Sequence, residues 1–286
     1  MSVAVRLLAA ALAAFTLAAA PAAITPAPIV AAERAFAADG LAMGVDASFL
    51  KHSTDDAIVI GQNGPAHPKD TYDPKARPAP TDPKLAWWPL FAGISKSGDL
   101  GFTTSPIEVG GEHGGHYFTV WKLQPGGGWK WIYDGGVGAT AKDEAVQGSP
   151  PVLLPVSTVR AKKPAAAMSE VRAAEAALAG EAKTSVKAAY LKVLADDGRL
   201  HVAPLPPAKG KAMFAAALDG YPAAMEISPP AGGEASIAGD LVWVYGPAKW
   251  TRPEGPRSGW YVHLWQARKG GWKLVFAQTL ASRAAS

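Results

Sequence analysis

The chain has 286 residues, about half of them apolar, 18% charged, and no cysteine. That length holds one large or two modest domains with full cores, and the missing cysteine excludes disulfides, thiolate nucleophiles and Cys-ligated zinc. The net charge of +4 divides unevenly, with 11 Lys+Arg against 14 Asp+Glu in residues 24–160 and 16 against 10 in residues 161–286; the basic charges are scattered, which argues against nucleic-acid binding, and attraction between the halves accounts for the asymmetry.

The first segment, MSVAVRLLAAALAAFTLAAAPAA, carries one positive charge at Arg6, an apolar run over residues 7–19, and small residues at Ala20 and Ala22. Residues 1–22 are therefore expected to be a secretory signal, the alternative being a retained anchor. The run is shorter than the ~20 residues of a membrane span. Export without cysteine points to a bacterial periplasm or to secretion.

A helix is expected next, with Phe36, Met43, Ala47 and Leu50 on one face. Asp55 and Asp56 mark a turn into the β-rich run AIVI. Residues 61–84, rich in Pro and charge, read as a long loop or lid; Tyr72 and Asp73 could close over a pocket, but a mobile surface loop without function is the plainer reading. A strand, GFTTSPIEV, precedes a hairpin of GHYFTVWKL and GWKWIYD joined across Pro-Gly-Gly-Gly. Strand alternation puts Tyr117, Thr119 and Trp121 on one face and His116, Phe118 and Val120 on the other. On the partner strand it groups Trp129, Trp131 and Tyr133 against Lys130, Ile132 and Asp134. Residues 137–168 form a linker whose apolar PVLLPVSTV is suited to dock on a domain surface.

The chain then repeats itself. Residues 33–60 lie over residues 175–202 without a gap, pairing Glu33 with Glu175, Phe36 with Leu178, Phe49 with Leu191 and Asp55 with Asp197. SGDL at residues 97–100 matches AGDL at residues 238–241. The hairpin matches GWYVHLWQARKGGWKLVFAQT, with Tyr117 on Tyr261, Trp121 on Trp265 and Trp129 on Trp272. Two such copies, helix first and antiparallel strands after, imply an α+β fold with domains at residues 29–136 and 169–282.

This combination of a Glu-bearing leading helix, a DD entry, a strand after S/AGDL and a final G-x-Y-x-x-x-W … G-x-W-K pair resembles the domain of unknown function 4440, within the SnoaL-like and nuclear-transport-factor-2-like superfamily. The resemblance implies two tandem cone-shaped, cystatin-like domains, each a curved antiparallel sheet wrapped around N-terminal helices and enclosing a pocket. Family members include isomerases, cyclases and dehydratases as well as proteins that only bind or pair, so the fold alone does not set the activity. Ketosteroid isomerases, similar at a distance, place a catalytic Asp where this chain has Gly61 and Ala203, and an oxyanion-donating Tyr near Ala37. Proton abstraction beside a carbonyl needs both a base and a donor; neither stands at those positions.

The residues therefore favour an exported, non-catalytic protein that binds a small apolar ligand or another protein, its two domains pairing within the chain, with a homodimer also open. The alternative is a SnoaL-like isomerase or hydrolase with its active pocket in the first domain, using His116, Tyr117 or Asp134 as acid and base. The candidate pocket is His116, Tyr117, Trp121, Trp131, Tyr133 and Asp134. In the second copy Trp131, Tyr133 and Asp134 become Leu274, Phe276 and Ala277, so the first copy is the one expected to keep a working pocket. Glu112, His113 and His116 have a spacing open to metal, but exposed histidines on a hairpin approach are the plainer reading, and no metal or cofactor is expected.

Overall fold

The computed structural model describes residues 23–139 and 145–283; the expected secretory signal lies outside the described residues. The first domain opens with α1 (Ala27–Met43), which has Pro28 in its first turn, where a missing N–H does no harm. Gly44, at φ 92°, turns the chain into α2 (Val45–His52), a backbone conformation glycine adopts without strain. Strands β1 (Ser53–Gly61), β2 (Gly64–Ala66), β3 (Leu85–Trp87), β4 (Phe91–Ile94), β5 (Leu100–Val109), β6 (Glu112–Leu123), β7 (Trp129–Gly138) and β8 (Val152–Leu153) make one sheet, with a single turn of helix, α3 (Pro68–Thr71), after β2. Its order is β2-β1-β7-β6-β5-β4-β8, with β3 also on β5. Pairing is antiparallel except for β1 beside β7 and β8 beside β4.

The second domain repeats the plan: α4 (Pro164–Ala182), α5 (Val186–Val193), then β9 (Leu194–His201), β10 (Ala208–Lys209), a short α6 (Lys211–Ala217), β11 (Glu226–Ile227), β12 (Gly232–Ala235), β13 (Leu241–Arg252), β14 (Gly255–Arg268) and β15 (Gly271–Ala281). Ser185 caps α5 by accepting the Ala188 N–H. The order β10-β9-β15-β14-β13-β11, with β12 on β13, matches the first sheet strand for strand at its centre. The chain is thus α+β, two sheets each preceded by helices. No helix among the described residues is long and apolar enough to cross a membrane.

Four local readings differ from the sequence pattern. Asp55 and Asp56 lie within β1: Ser53 and Ile58 are five positions apart while their partners Trp131 and Tyr133 are two apart, so the acidic pair bulges outward and is exposed. The repeat also carries a one-residue gap between the helices, because Ser53 faces Trp131 as Leu194 faces Leu274. Phe49 therefore corresponds to buried Tyr190 rather than to Leu191, which is 40% exposed. Residues 61–84 are not a free lid: the Asp73 N–H binds Asp46 at 2.7 Å and Tyr72 packs on Phe49 at 4.8 Å.

The fourth is a bulge in the hairpin. Val120 faces Tyr133, but the next residue, Trp121, faces Trp131, leaving Ile132 as the extra residue. One extra residue reverses the alternation, so Trp131 and Tyr133 point to opposite faces. The second hairpin has the same shift between Leu264 and Trp265.

The two faces do different work. One packs on the domain's own helices: Ile29, Phe36, Phe49, Trp87, Tyr117, Trp121 and Trp131 form that core in the first domain. The other packs on the second domain, in a core of Phe102, Phe118, Val120, Tyr133, Trp243, Val262, Leu264 and Phe276. There Phe118 stacks on Phe276 with ring centroids 3.8 Å apart. At one end of the seam the contacts are reciprocal. The Lys96 N–H donates to Asp240 at 2.9 Å, and the Ile237 N–H donates to Asp99 at 3.0 Å. Each Asp is also held by its own serine, Asp99 by Ser95 and Asp240 by Ser236, both at 2.9 Å. This is the self-complementary pattern of a two-fold interface. In the expected linker, β8 lies beside β4 of the first sheet and Leu154 is buried in the shared core.

Candidate functional site

Both leading helices carry one fully buried carboxylate, and their surroundings define the interior of each domain. In the first, Glu33 is 0% exposed. Its Oε1 accepts from the Trp87 indole at 2.6 Å, and its Oε2 accepts from Trp121 at 2.9 Å and from the Thr103 hydroxyl. Burial raises its pKa to about 7, against the pull of those three donors.

Beside it, Asp134 is half-buried and accepts from the Thr119 hydroxyl at 2.7 Å. Burial holds its carboxyl well above the usual range; the Thr119 bond opposes this and the nearby Glu33 charge adds to it. Burial likewise raises the Tyr117 phenol, with Glu33 and Asp134 contributing, and the Tyr72 phenol, with Asp134 and Asp46 contributing. The first interior thus gathers two carboxylates that each favour the proton, with Tyr117 and Tyr72 close by.

Of the six residues marked by the sequence, four meet here: Tyr117, Trp121, Trp131 and Asp134. Trp121 and Trp131 are fully buried in the core beneath the helices. The other two lie across the sheet. His116 faces the seam, its ring 5.2 Å from that of His201 and 5.0 Å from that of His113. Tyr133 sits in the seam core, 5.3 Å from Trp243, with the Gln278 amide donating to its hydroxyl at 3.4 Å. The bulge at Ile132 is the reason Tyr133 parts from Trp131. Among the described residues no three His, Asp or Glu side chains converge as a metal ion requires.

The second interior exchanges its polar groups. Glu175 corresponds to Glu33, and the Trp265 indole donates to its Oε1 at 2.5 Å as Trp121 does to Glu33. At the position of Thr119 stands His263, whose Nδ1 also meets Oε1, at 2.8 Å, while its Nε2 meets the Tyr190 hydroxyl at 2.9 Å. Both imidazole nitrogens thus have a partner, Glu175 on one side and Tyr190 on the other. The remaining oxygen, Oε2, is buried without a partner. Glu175 also lines a cleft of about 380 Å³ between α4 and residues 227–230, with Arg172 and Lys183 exposed on its lining.

Sequence reasoning paired Glu33 with Glu175 and Trp121 with Trp265 without asking what a buried helical carboxylate bonds to; that question joins the two pairs. His263 and Tyr190 were missed for separate reasons. His263 has a threonine opposite it in the repeat, and Tyr190 was hidden by the one-residue gap.

No family model matches the chain, and no curated protein matches it. Among solved structures the chain is similar to a protein of unknown function with a cystatin-like fold from Nostoc punctiforme, at 19% identity over 43% of this chain and 96% of that one, TM-score 0.34. It is similar to an NTF-2 like protein of unknown function from Shewanella oneidensis, at 12% identity over 39% and 97%, TM-score 0.33. A ketosteroid isomerase-like protein from Erwinia carotovora aligns at 20% identity over 41% and 96%, TM-score 0.34. Each match spans less than half of this chain.

Proposed function

We propose that this chain is an exported, non-catalytic binding protein: two nuclear-transport-factor-2-like domains paired within one chain and holding a small apolar molecule. The observation that carries the reading is the use made of the interior carboxylates. Glu33 spends both oxygens on indole and hydroxyl donors of its own domain, and Glu175 is fixed by Trp265 and His263. A general acid or base has to reach a proton on the substrate, whereas these groups brace helix to sheet. The reciprocal Asp99 and Asp240 bonds favour pairing as the resting arrangement. The test is a thermal-shift screen of the full chain against small apolar molecules, with mass and chromatographic analysis of whatever binds. A bound molecule recovered unchanged supports the reading; one recovered as product ends it.

One observation favours the enzyme alternative: Glu33 and Asp134 both have raised pKa values and share an interior with Tyr117. His116 cannot join them, since it lies across the sheet. On that reading a Tyr117→Phe, Asp134→Asn double variant loses turnover of an identified substrate, and unchanged turnover removes it.

A further inference from the structure

We infer that the second domain's cleft seats a planar ring N–H donor carrying an anionic substituent, at the place where the first domain inserts an indole of its own. The inference rests on the binding reading above and narrows its ligand to one with an apolar ring and an anionic outer end.

The equivalence comes from strand register. Trp87 pairs with Ile107, seven residues after Leu100; Ile227 pairs with Ala248, seven residues after Leu241. Leu100 and Leu241 begin the same strand in the two copies, so Ile227 stands where Trp87 stands. In the first domain the Trp87 N–H caps Glu33 at 2.6 Å, its ring lies 4.8 Å from Phe36, and its tip covers Gly40. A Cβ at Gly40 would come within 2.6 Å of that ring. In the second domain the donor and the clearance for it are both gone: Ile227 replaces the indole and Ala182 takes the position of Gly40. Val244 takes the position of Thr103, so the hydroxyl donor is lost as well.

The result is a buried carboxylate with one donor fewer than its counterpart, in a residue that lines a cleft. Glu175 keeps two donors on one oxygen, and its Oε2, in a residue 1% exposed, has none. A buried acceptor without a donor is unfavourable until something supplies one. The cleft that reaches Glu175 is about 380 Å³, within the roughly 300 to 1,000 Å³ of small-molecule sites. Ala176, Ala179, Ile227 and Pro229 give it apolar walls suited to a ring. Arg172 and Lys183 on the lining oppose a cationic ligand and favour one whose outer end is anionic.

Calorimetric titration of the full chain with indole-3-acetate tests this. Binding is expected, with the probe recovered unchanged, and methylation of the ring nitrogen weakens it ten-fold or more. The double variant Ile227→Trp with Ala182→Gly rebuilds the first domain's plug and abolishes binding. Should that variant fail to fold, Ala179→Leu narrows the cleft from the helix side and weakens binding, and in the unaltered chain a labelled Ile227 methyl shifts on titration. No binding, equal affinity for the N-methyl compound, or an unmoved Ile227 methyl overturns the inference. Chemical conversion of the probe would instead sink the binding reading while leaving the seat in place.

Discussion

Glu33→Gln is the variant in which stability and pH speak most directly about the first interior. Glu33 is fully buried, and burial lifts its pKa from 4.5 to about 7. Between those values the folded chain holds a proton that the unfolded chain has released, so this group's contribution to stability falls as pH rises from about 4.5 to 7. With each pKa unit equivalent to 1.36 kcal/mol, the loss totals about 3 kcal/mol. Glutamine is shaped like the protonated acid and does not titrate, so the variant escapes that loss. It also sets an amide N–H against one of the three donors that converge on Glu33, a fixed penalty of about 1–3 kcal/mol at every pH. Groups not coupled to Glu33 that titrate in this range, such as His201, held neutral by burial, affect both proteins alike, while Asp134, whose carboxyl the Glu33 charge raises, is relieved in the variant and adds to its gain at high pH. The prediction therefore concerns the difference: measured by urea unfolding, Glu33→Gln gains on the wild type by about 3 kcal/mol between pH 4.5 and pH 8. A difference that does not change with pH would refute the reasoning.

Gly40→Ala should destabilise, although alanine is favoured over glycine in a helix by about 1 kcal/mol. Its Cβ meets the Trp87 ring at 2.6 Å, overpacking costs about 1–3 kcal/mol, and a raised melting temperature would contradict the account. Phe276→Ala removes the ring stacked on Phe118 and should cost about 3–5 kcal/mol, read in denaturant titrations. Asp99→Ala and Asp240→Ala each leave a backbone N–H of the other domain without its acceptor, at about 1–3 kcal/mol. In calorimetry the double variant should broaden or split the unfolding transition, and an unaltered single transition would show that the seam does not depend on these bonds.

Much of this architecture was legible because the chain contains its own comparison. The repeat placed Glu33 on Glu175 and Trp121 on Trp265, and in both domains that pair is the bond between leading helix and sheet. The two sheets each following helices, and the hairpin across residues 124–128, also follow from the pattern. Alternation failed at one residue. With Ile132 left over in the hairpin, the parity that tied Tyr133 to Trp131 is lost, and nothing in WKWIYD marks which residue will bulge. The gap that hid Tyr190 arose where helix meets helix, a place where backbone length is not constrained by strand pairing. Ile227 was beyond sequence reasoning altogether: β11 has two residues, and its correspondence to Trp87 exists only in the strand register.

The two readings of function part most clearly in one measurement: native mass spectrometry of the full chain incubated with small apolar molecules, with the molecules analysed after release. The account predicts a non-covalent complex whose ligand leaves with its mass and its chromatographic retention unchanged, and the same outcome for Asp134→Asn. A released product of altered mass or retention, formed by the wild type and absent with Asp134→Asn, would contradict it.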